Sequence, residues 1–214
     1  TAGKSSVGPA ENACQCRANY YRHGRGTAME CKACPKNSRT NGAGATSSMQ
    51  CLCDVGRVRE NDVCVECKEG TLMTTDASDI RVCKTCPPGT FQNIKGQKTC
   101  LPCPVDTYSG AEGLVTSAQC IKCENSIDFS TTNGSNGVAN VSGCVCLRGR
   151  FMDEKGKCPA CPGGGNCDVV GTSIQTISSQ PSYWRSSMYS AEFQICAVEQ
   201  HCVGGPIGSQ CRKG

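Results

Sequence analysis

Residues 83–111 read CKTCPPGTFQNIKGQKTCLPCPVDTYSGA. Two Cys-x-x-Cys doublets, Cys83/Cys86 and Cys100/Cys103, punctuate this stretch. Each closes on a proline that fixes φ just after the cysteine, and Gly89 and Ser109-Gly110 mark turns beyond. No 3.6-residue apolar period runs through the segment. It therefore reads as short irregular hairpins with almost no helix.

The same punctuation extends in both directions. Four further Cys-x-x-Cys doublets stand at Cys31/Cys34, Cys64/Cys67, Cys120/Cys123 and Cys158/Cys161. Three Cys-x-Cys doublets stand at Cys14/Cys16, Cys51/Cys53 and Cys144/Cys146. Cys167, Cys196, Cys202 and Cys211 are single. Spacing this regular is the mark of a repeat. Composition agrees. The chain has 214 residues and 22 cysteines, but Leu, Ile, Val and Phe together number only 32, or 15%. So little aliphatic material cannot build a large core, which excludes a Rossmann fold, a TIM barrel and a large helical bundle. The net charge of +4 is too small to suggest disorder. Cross-links are the remaining means of holding the chain.

Absences narrow the function. No apolar run approaches the ~18–20 residues of a membrane helix, so no span is expected in this chain. Basic and acidic residues alternate without forming a block, which argues against nucleic-acid binding. The chain opens at Thr1 in Ser- and Gly-rich sequence and reads as a processed piece of something larger.

Two kinds of unit recur. One follows Cys-x-Cys with an aromatic or basic stretch: Cys16-Arg-Ala-Asn-Tyr-Tyr, Cys53-Asp-Val-Gly-Arg-Val and Cys146-Leu-Arg-Gly-Arg-Phe. Asn19, Gly56 and Gly149 share one place, which suggests a turn residue with positive φ. Tyr20 or Tyr21, Phe151 and, more weakly, Val58 would cover the neighbouring bridge. The other unit runs from Cys-x-x-Cys through Pro into a Ser/Thr-rich loop, as in Cys34-Pro-Lys-Asn-Ser-Arg-Thr and Cys103-Pro-Val-Asp-Thr-Tyr-Ser.

The stretch from Cys83 to Cys123 resembles ephrin-receptor-like cysteine-rich repeats, relatives of TNF-receptor and EGF-like modules. The Cys-x-Cys units look like the C-terminal half of an EGF-like module. Pro181-Ser-Tyr-Trp-Arg-Ser with Cys196, Cys202-Val-Gly-Gly and Cys211-Arg-Lys-Gly resembles a segment that follows such repeats in large extracellular proteins of algae and other protists. The resemblance implies a pairing in which the second cysteine of each doublet bridges to the first of the next. The pairs would be Cys16–Cys31, Cys34–Cys51, Cys53–Cys64, Cys67–Cys83, Cys86–Cys100, Cys103–Cys120, Cys123–Cys144 and Cys146–Cys158. Cys161–Cys167 and Cys196–Cys202 would be local pairs. Cys14 and Cys211 stay without an assigned partner, and sequence alone does not fix connectivity.

Paired Cys-x-x-Cys knuckles can instead hold zinc. Two sequons, Asn133-Gly-Ser and Asn140-Val-Ser, favour disulfides and N-linked glycans, because both belong to an oxidising compartment. No Cys-x-x-Cys precedes a helix, as a redox dithiol would require. His23 and His201 lack an orienting group and a free thiol for nucleophilic work. Gly163-Gly-Gly165 has no Lys and Ser/Thr for a phosphate cradle. Glu11-Asn-Ala and Glu60-Asn-Asp supply too few oxygens for calcium.

The 28 residues from Asp168 to Ile195 form the longest stretch without cysteine. Thr172–Ser178 is rich in β-branched residues and predicts a strand, ended by Pro181. Trp184, Tyr183 and Arg185 are candidate anchors for a partner, with packing inside the chain as the alternative for Trp184.

The sequence therefore predicts a small disulfide-rich fold. It would be an elongated array of cysteine-rich modules with short β-hairpins and little helix. The expected divisions are 1–13, 14–67, 68–123, 124–167 and 168–214, with Cys211 opening a further module. The expected function is a non-catalytic extracellular or cell-surface segment, a spacer or filament-forming unit. Its partners would be other subunits or copies of itself, with no cofactor. The alternative is a receptor ectodomain that binds a protein ligand.

Overall fold

The computed structural model describes residues 4–6, 14–24, 30–78 and 80–208. Its local structure begins at the turn after each doublet. Three residues past the cysteine, φ is positive: 68° at Asn19, 79° at Gly56, 64° at Asp106 and 79° at Gly149. The next N–H donates back three residues, as from Tyr20 N to Arg17 O (3.1 Å) and from Thr90 N to Pro87 O (3.1 Å). A positive φ at the third position with this bond is the pattern of a type II turn, which also favours proline before it, as at Pro88. Ser182 repeats the turn with φ of 71°, although Ser179 stands where the other units place a cysteine.

The carbonyl of the turn residue then receives an N–H from the next doublet. Cys34 N donates to Asn19 O (2.9 Å), Cys103 N to Gly89 O (2.8 Å) and Cys161 N to Gly149 O (2.9 Å). After Cys-x-Cys the donor lies one residue later, with Asp54 N on Asn37 O and Leu147 N on Phe129 O. The shorter doublet shifts the register by one.

Such a turn generally leads into a strand that pairs antiparallel with the next one along the chain, giving two-stranded sheets, whereas the Gly149 turn leads only to an isolated bridge of Arg150 with Ala160. The hairpins begin with β1 (Lys4–Ser6) on β2 (Cys14–Cys16), β3 (Tyr20–His23) on β4 (Glu30–Ala33) and β5 (Ser38–Arg39) on β6 (Leu52–Cys53). Next are β7 (Arg57–Glu60) on β8 (Val63–Glu66) and β9 (Thr71–Thr75) on β10 (Arg81–Thr85). Then come β11 (Thr90–Phe91) on β12 (Leu101–Pro102) and β13 (Thr107–Tyr108) on β14 (Ile121–Lys122). The last are β15 (Ser130–Thr131) on β16 (Val145–Cys146), β17 (Gly165–Asn166) on β18 (Ser178–Ser179), and β19 (Tyr183–Trp184) on β20 (Gln194–Ile195). Short 3-10 turns are the only helical elements among the described residues.

Disulfides clamp the hairpins. The structure joins Cys16–Cys31, Cys34–Cys51, Cys53–Cys64, Cys67–Cys83 and Cys86–Cys100. It also joins Cys103–Cys120, Cys123–Cys144, Cys146–Cys158, Cys161–Cys167 and Cys196–Cys202. Closing loops of this size removes roughly 3 kcal/mol of unfolded-state freedom per bridge on a chain-entropy account. Cys211 and the side chain of Cys14 lie outside the described residues.

The chain forms two compact units. The first is Thr1–Cys86 with Gln92–Cys100, and the second is Pro87–Phe91 with Leu101–Gly214. In the first, Tyr21 packs on Ala45 and on the Cys34–Cys51 bridge. Successive modules are tied by Gly44 N on Cys16 O (2.7 Å), Arg22 N on Ala45 O (2.9 Å) and Gly96 N on Cys67 O (2.8 Å). The Arg81 guanidinium supplies the donor to Cys53 O. In the second unit, Phe91 and Leu114 pack on the Cys103–Cys120 bridge. Phe151, Ile174 and Ile177 pack on Cys161–Cys167. The core is thus a series of small clusters, each an aromatic laid on the next module's bridge. That is what a chain poor in aliphatic residues can afford.

The strand expected over 172–178 is not formed. Ser173 to Ile177 make a tight turn, with Ile177 N on Ser173 O (2.8 Å) and only Ser178–Ser179 extended. Side-chain hydroxyls of Ser173 and Thr176 compete for the backbone there.

Candidate contact site

The β19–β20 hairpin places Tyr183 opposite Ile195 and Trp184 opposite Gln194. Alternation along a strand sends Tyr183 and Trp184 to opposite faces. Tyr183 lies inward over Gly164, where an added Cβ would come within 2.3 Å of the Tyr183 ring. The Gly163–Gly165 run is therefore a bridged turn that gives an aromatic room. Trp184 remains 38% exposed, and Tyr189, Ile195 and Val203 nearby in sequence are exposed too.

Arg185, expected as an outward anchor, is instead 3% exposed. Its guanidinium donates to the carbonyls of Ile174 (2.7 Å), Gln175, Ile177, Met188 and Ser190. Phe193 packs beside it, with the ring centroid 5.7 Å away. Burial lowers its pKa from the ordinary arginine value. Arg185 therefore organises the turn at 173–177 from within. Strand periodicity could not reveal this, because the carbonyls it serves come from two separate segments.

The Cys123–Cys144 loop exposes both sequons. Asn133 sits in a turn with φ of 52°. Asn140 caps the 3-10 turn Val141–Gly143, its Oδ1 accepting from Ser142 N at 3.0 Å. Here the structure exposes a repeat missed in the sequence. GATSSMQC (44–51), GLVTSAQC (113–120) and GVANVSGC (137–144) all lead into a bridged cysteine through such a turn. Gln50 accepts from Thr46 N, and Gln119 from Val115 N and Thr116 N. Gly143 replaces that glutamine in the third copy, and Asn140 does the capping.

Twenty cysteines are bridged, so the Cys-x-x-Cys doublets carry no thiolates for zinc or redox work. His23 pairs across its hairpin with Glu30, and His201 lies exposed in the Glu199–His201 turn, far in sequence from it. No helix among the described residues is long and apolar enough to cross a membrane.

Residues 4–51 and 74–120 match the family described as tyrosine-protein kinase ephrin type A/B receptor-like. The chain is an array of extracellular cysteine-rich repeats. It is 30% identical over 169 residues to the rat "Sushi, von Willebrand factor type A, EGF and pentraxin domain-containing protein 1", covering 77% of this chain and 4% of that protein. It is 32% identical over 168 residues to the human "Signal peptide, CUB and EGF-like domain-containing protein 2", covering 73% of this chain and 15% of that protein. "Cysteine repeat modular protein B" of Toxoplasma gondii is 35% identical over 88 residues, 41% of this chain and 1% of that protein. The repeats thus span a small part of the proteins they resemble.

Proposed function

We propose that this array is a non-catalytic, disulfide-stapled structural or adhesive segment of a larger extracellular protein. Its partners would be copies of itself or other subunits. The observation that carries the reading is the backbone coupling of successive modules within each unit. Each module is bridged internally and then tied to the next by main-chain bonds such as Gly44 N on Cys16 O and Gly137 N on Cys103 O. Such coupling transmits stiffness from module to module within each unit, as in other repeat arrays. Trp184, with Tyr183 behind it, is the contact anchor. Asn133 and Asn140, in the loop closed by Cys123–Cys144, would carry N-linked glycans.

Sedimentation of the secreted, bridged chain across a concentration series tests the reading. Self-association is expected, weakened about tenfold or more by Trp184→Ala. A monomer at every concentration that binds one protein ligand saturably would replace this reading with that of a receptor ectodomain.

A further inference from the structure

We infer that the β3–β4 hairpin carries a binding site for a sulfated polysaccharide. Residues 14–40 hold six Lys and Arg against one acid, Glu30, whereas the rest of the chain holds 16 basic and 17 acidic residues. The whole positive excess therefore sits in one short stretch. Sequence order disguises it, because the charges are interleaved with neutral residues.

The fold brings two of these charges, Arg22 and Lys32, to one cleft. Arg22, His23 and Lys32 line a cleft of about 540 Å³ whose far wall includes Thr46, Ser47 and Ser48. Arg22 and Lys32 are exposed, and neither side chain makes an ion pair or hydrogen bond with a described residue. The contrast with neighbouring arginines is informative. Arg39 is held by Asp54, Arg57 by Glu66 and Arg59 by Asp62. Asp62 also lines the cleft, but its carboxylate is already engaged by Arg59 at 3.1 Å.

Unpaired cations in a concave site focus a positive field toward an anionic ligand. Serine and threonine hydroxyls can add hydrogen bonds to sulfate oxygens and sugar hydroxyls. Two separate cations, Arg22 and Lys32, lining one cleft match a polymer that carries several sulfates better than one small anion. The extracellular setting favours polysaccharide over nucleic acid as the source of that charge. The inference does not depend on self-assembly and holds for an array that never associates.

The test uses the full disulfide-bonded chain and a size-defined heparin oligosaccharide, with affinity measured between about 0.05 and 0.3 M salt. Binding is expected, with log K falling steeply with log salt, as for other polyanions. R22A/K32A should lose about tenfold or more in affinity and flatten the salt slope by about two. R22Q/K32Q keeps side-chain bulk and should lose as much. K155A/K157A removes the same charge from exposed positions in the second unit and should change nothing. Peptide mapping of the ten bridges checks that each variant is folded. Equal losses in R22A/K32A and K155A/K157A, or no loss in R22A/K32A, would overturn the site. Equal affinity for the desulfated oligosaccharide, for single-stranded DNA of matched charge or for phosphatidylserine vesicles would overturn the assignment of the ligand.

Discussion

Gly56 and Gly149 occupy equivalent turns, both with φ of 79°. What surrounds them differs. A Cβ on Gly56 would lie 2.0 Å from the carbonyl oxygen of Gly96, whereas one on Gly149 would meet nothing within 4 Å. Gly149→Ala should therefore cost only the left-handed backbone penalty, about 1 kcal/mol. Gly56→Ala adds a main-chain clash and should cost roughly 3 kcal/mol or more. Denaturant unfolding of the two variants with bridges intact separates conformational from steric cost, and equal values would refute the close approach. Arg185 offers a second residue-scale test. Five carbonyls converge on its guanidinium. Arg185→Met leaves buried acceptors unpaired and should destabilise by roughly 3 kcal/mol. Arg185→Lys keeps the charge but not the planar fork, so it should recover little of that loss. Hydrogen exchange across residues 173–196 is the measurement, and full protection in Arg185→Lys would show that charge alone suffices.

At the scale of the element, an aromatic five residues past a doublet covers the bridge of the module that follows. Tyr21 does so for Cys34–Cys51, Phe91 for Cys103–Cys120 and Phe151 for Cys161–Cys167. Phe91→Ala should cost about 3–4 kcal/mol. It should also admit reductant, so that Cys103 and Cys120 label faster than the same pair in the parent chain. Unchanged labelling would mean that the ring adds packing but no shielding. Doublet spacing and the Gly or Asn after it made the hairpins legible from sequence, because bridge and turn act over a few residues. The aromatic's role was legible in outline for the same reason. The turn at 173–177 was not, because β-branched residues there suggested a strand while serine and threonine hydroxyls and a distant arginine decided otherwise. The contact site was legible only in part. Exposure of Trp184 and burial of Arg185 depend on which way a two-residue strand faces, and two residues carry no period.

Across the whole molecule, stability is distributed among bridges with little shared core. Single domains unfold cooperatively when one core joins all their parts. Here the buried clusters are small and separate, each built on its own disulfide. Reduction should therefore proceed in steps, with partly reduced species that keep native bridges elsewhere, as expected of quasi-linear arrays. Thiolate attack needs access to sulfur, so burial should order the steps. Cys123–Cys144, with both cysteines at 1% exposure or less, should be among the last to open. Cys16–Cys31 and Cys86–Cys100, each with one half-buried member, should open earlier. Timed alkylation with mass spectrometry reads the number and position of open bridges directly. A single jump from ten bridges to none would mean that the modules share more stability than their local clusters supply. Stepwise loss in the expected order would place the chain's rigidity in local bridges, where a low aliphatic content requires it to be.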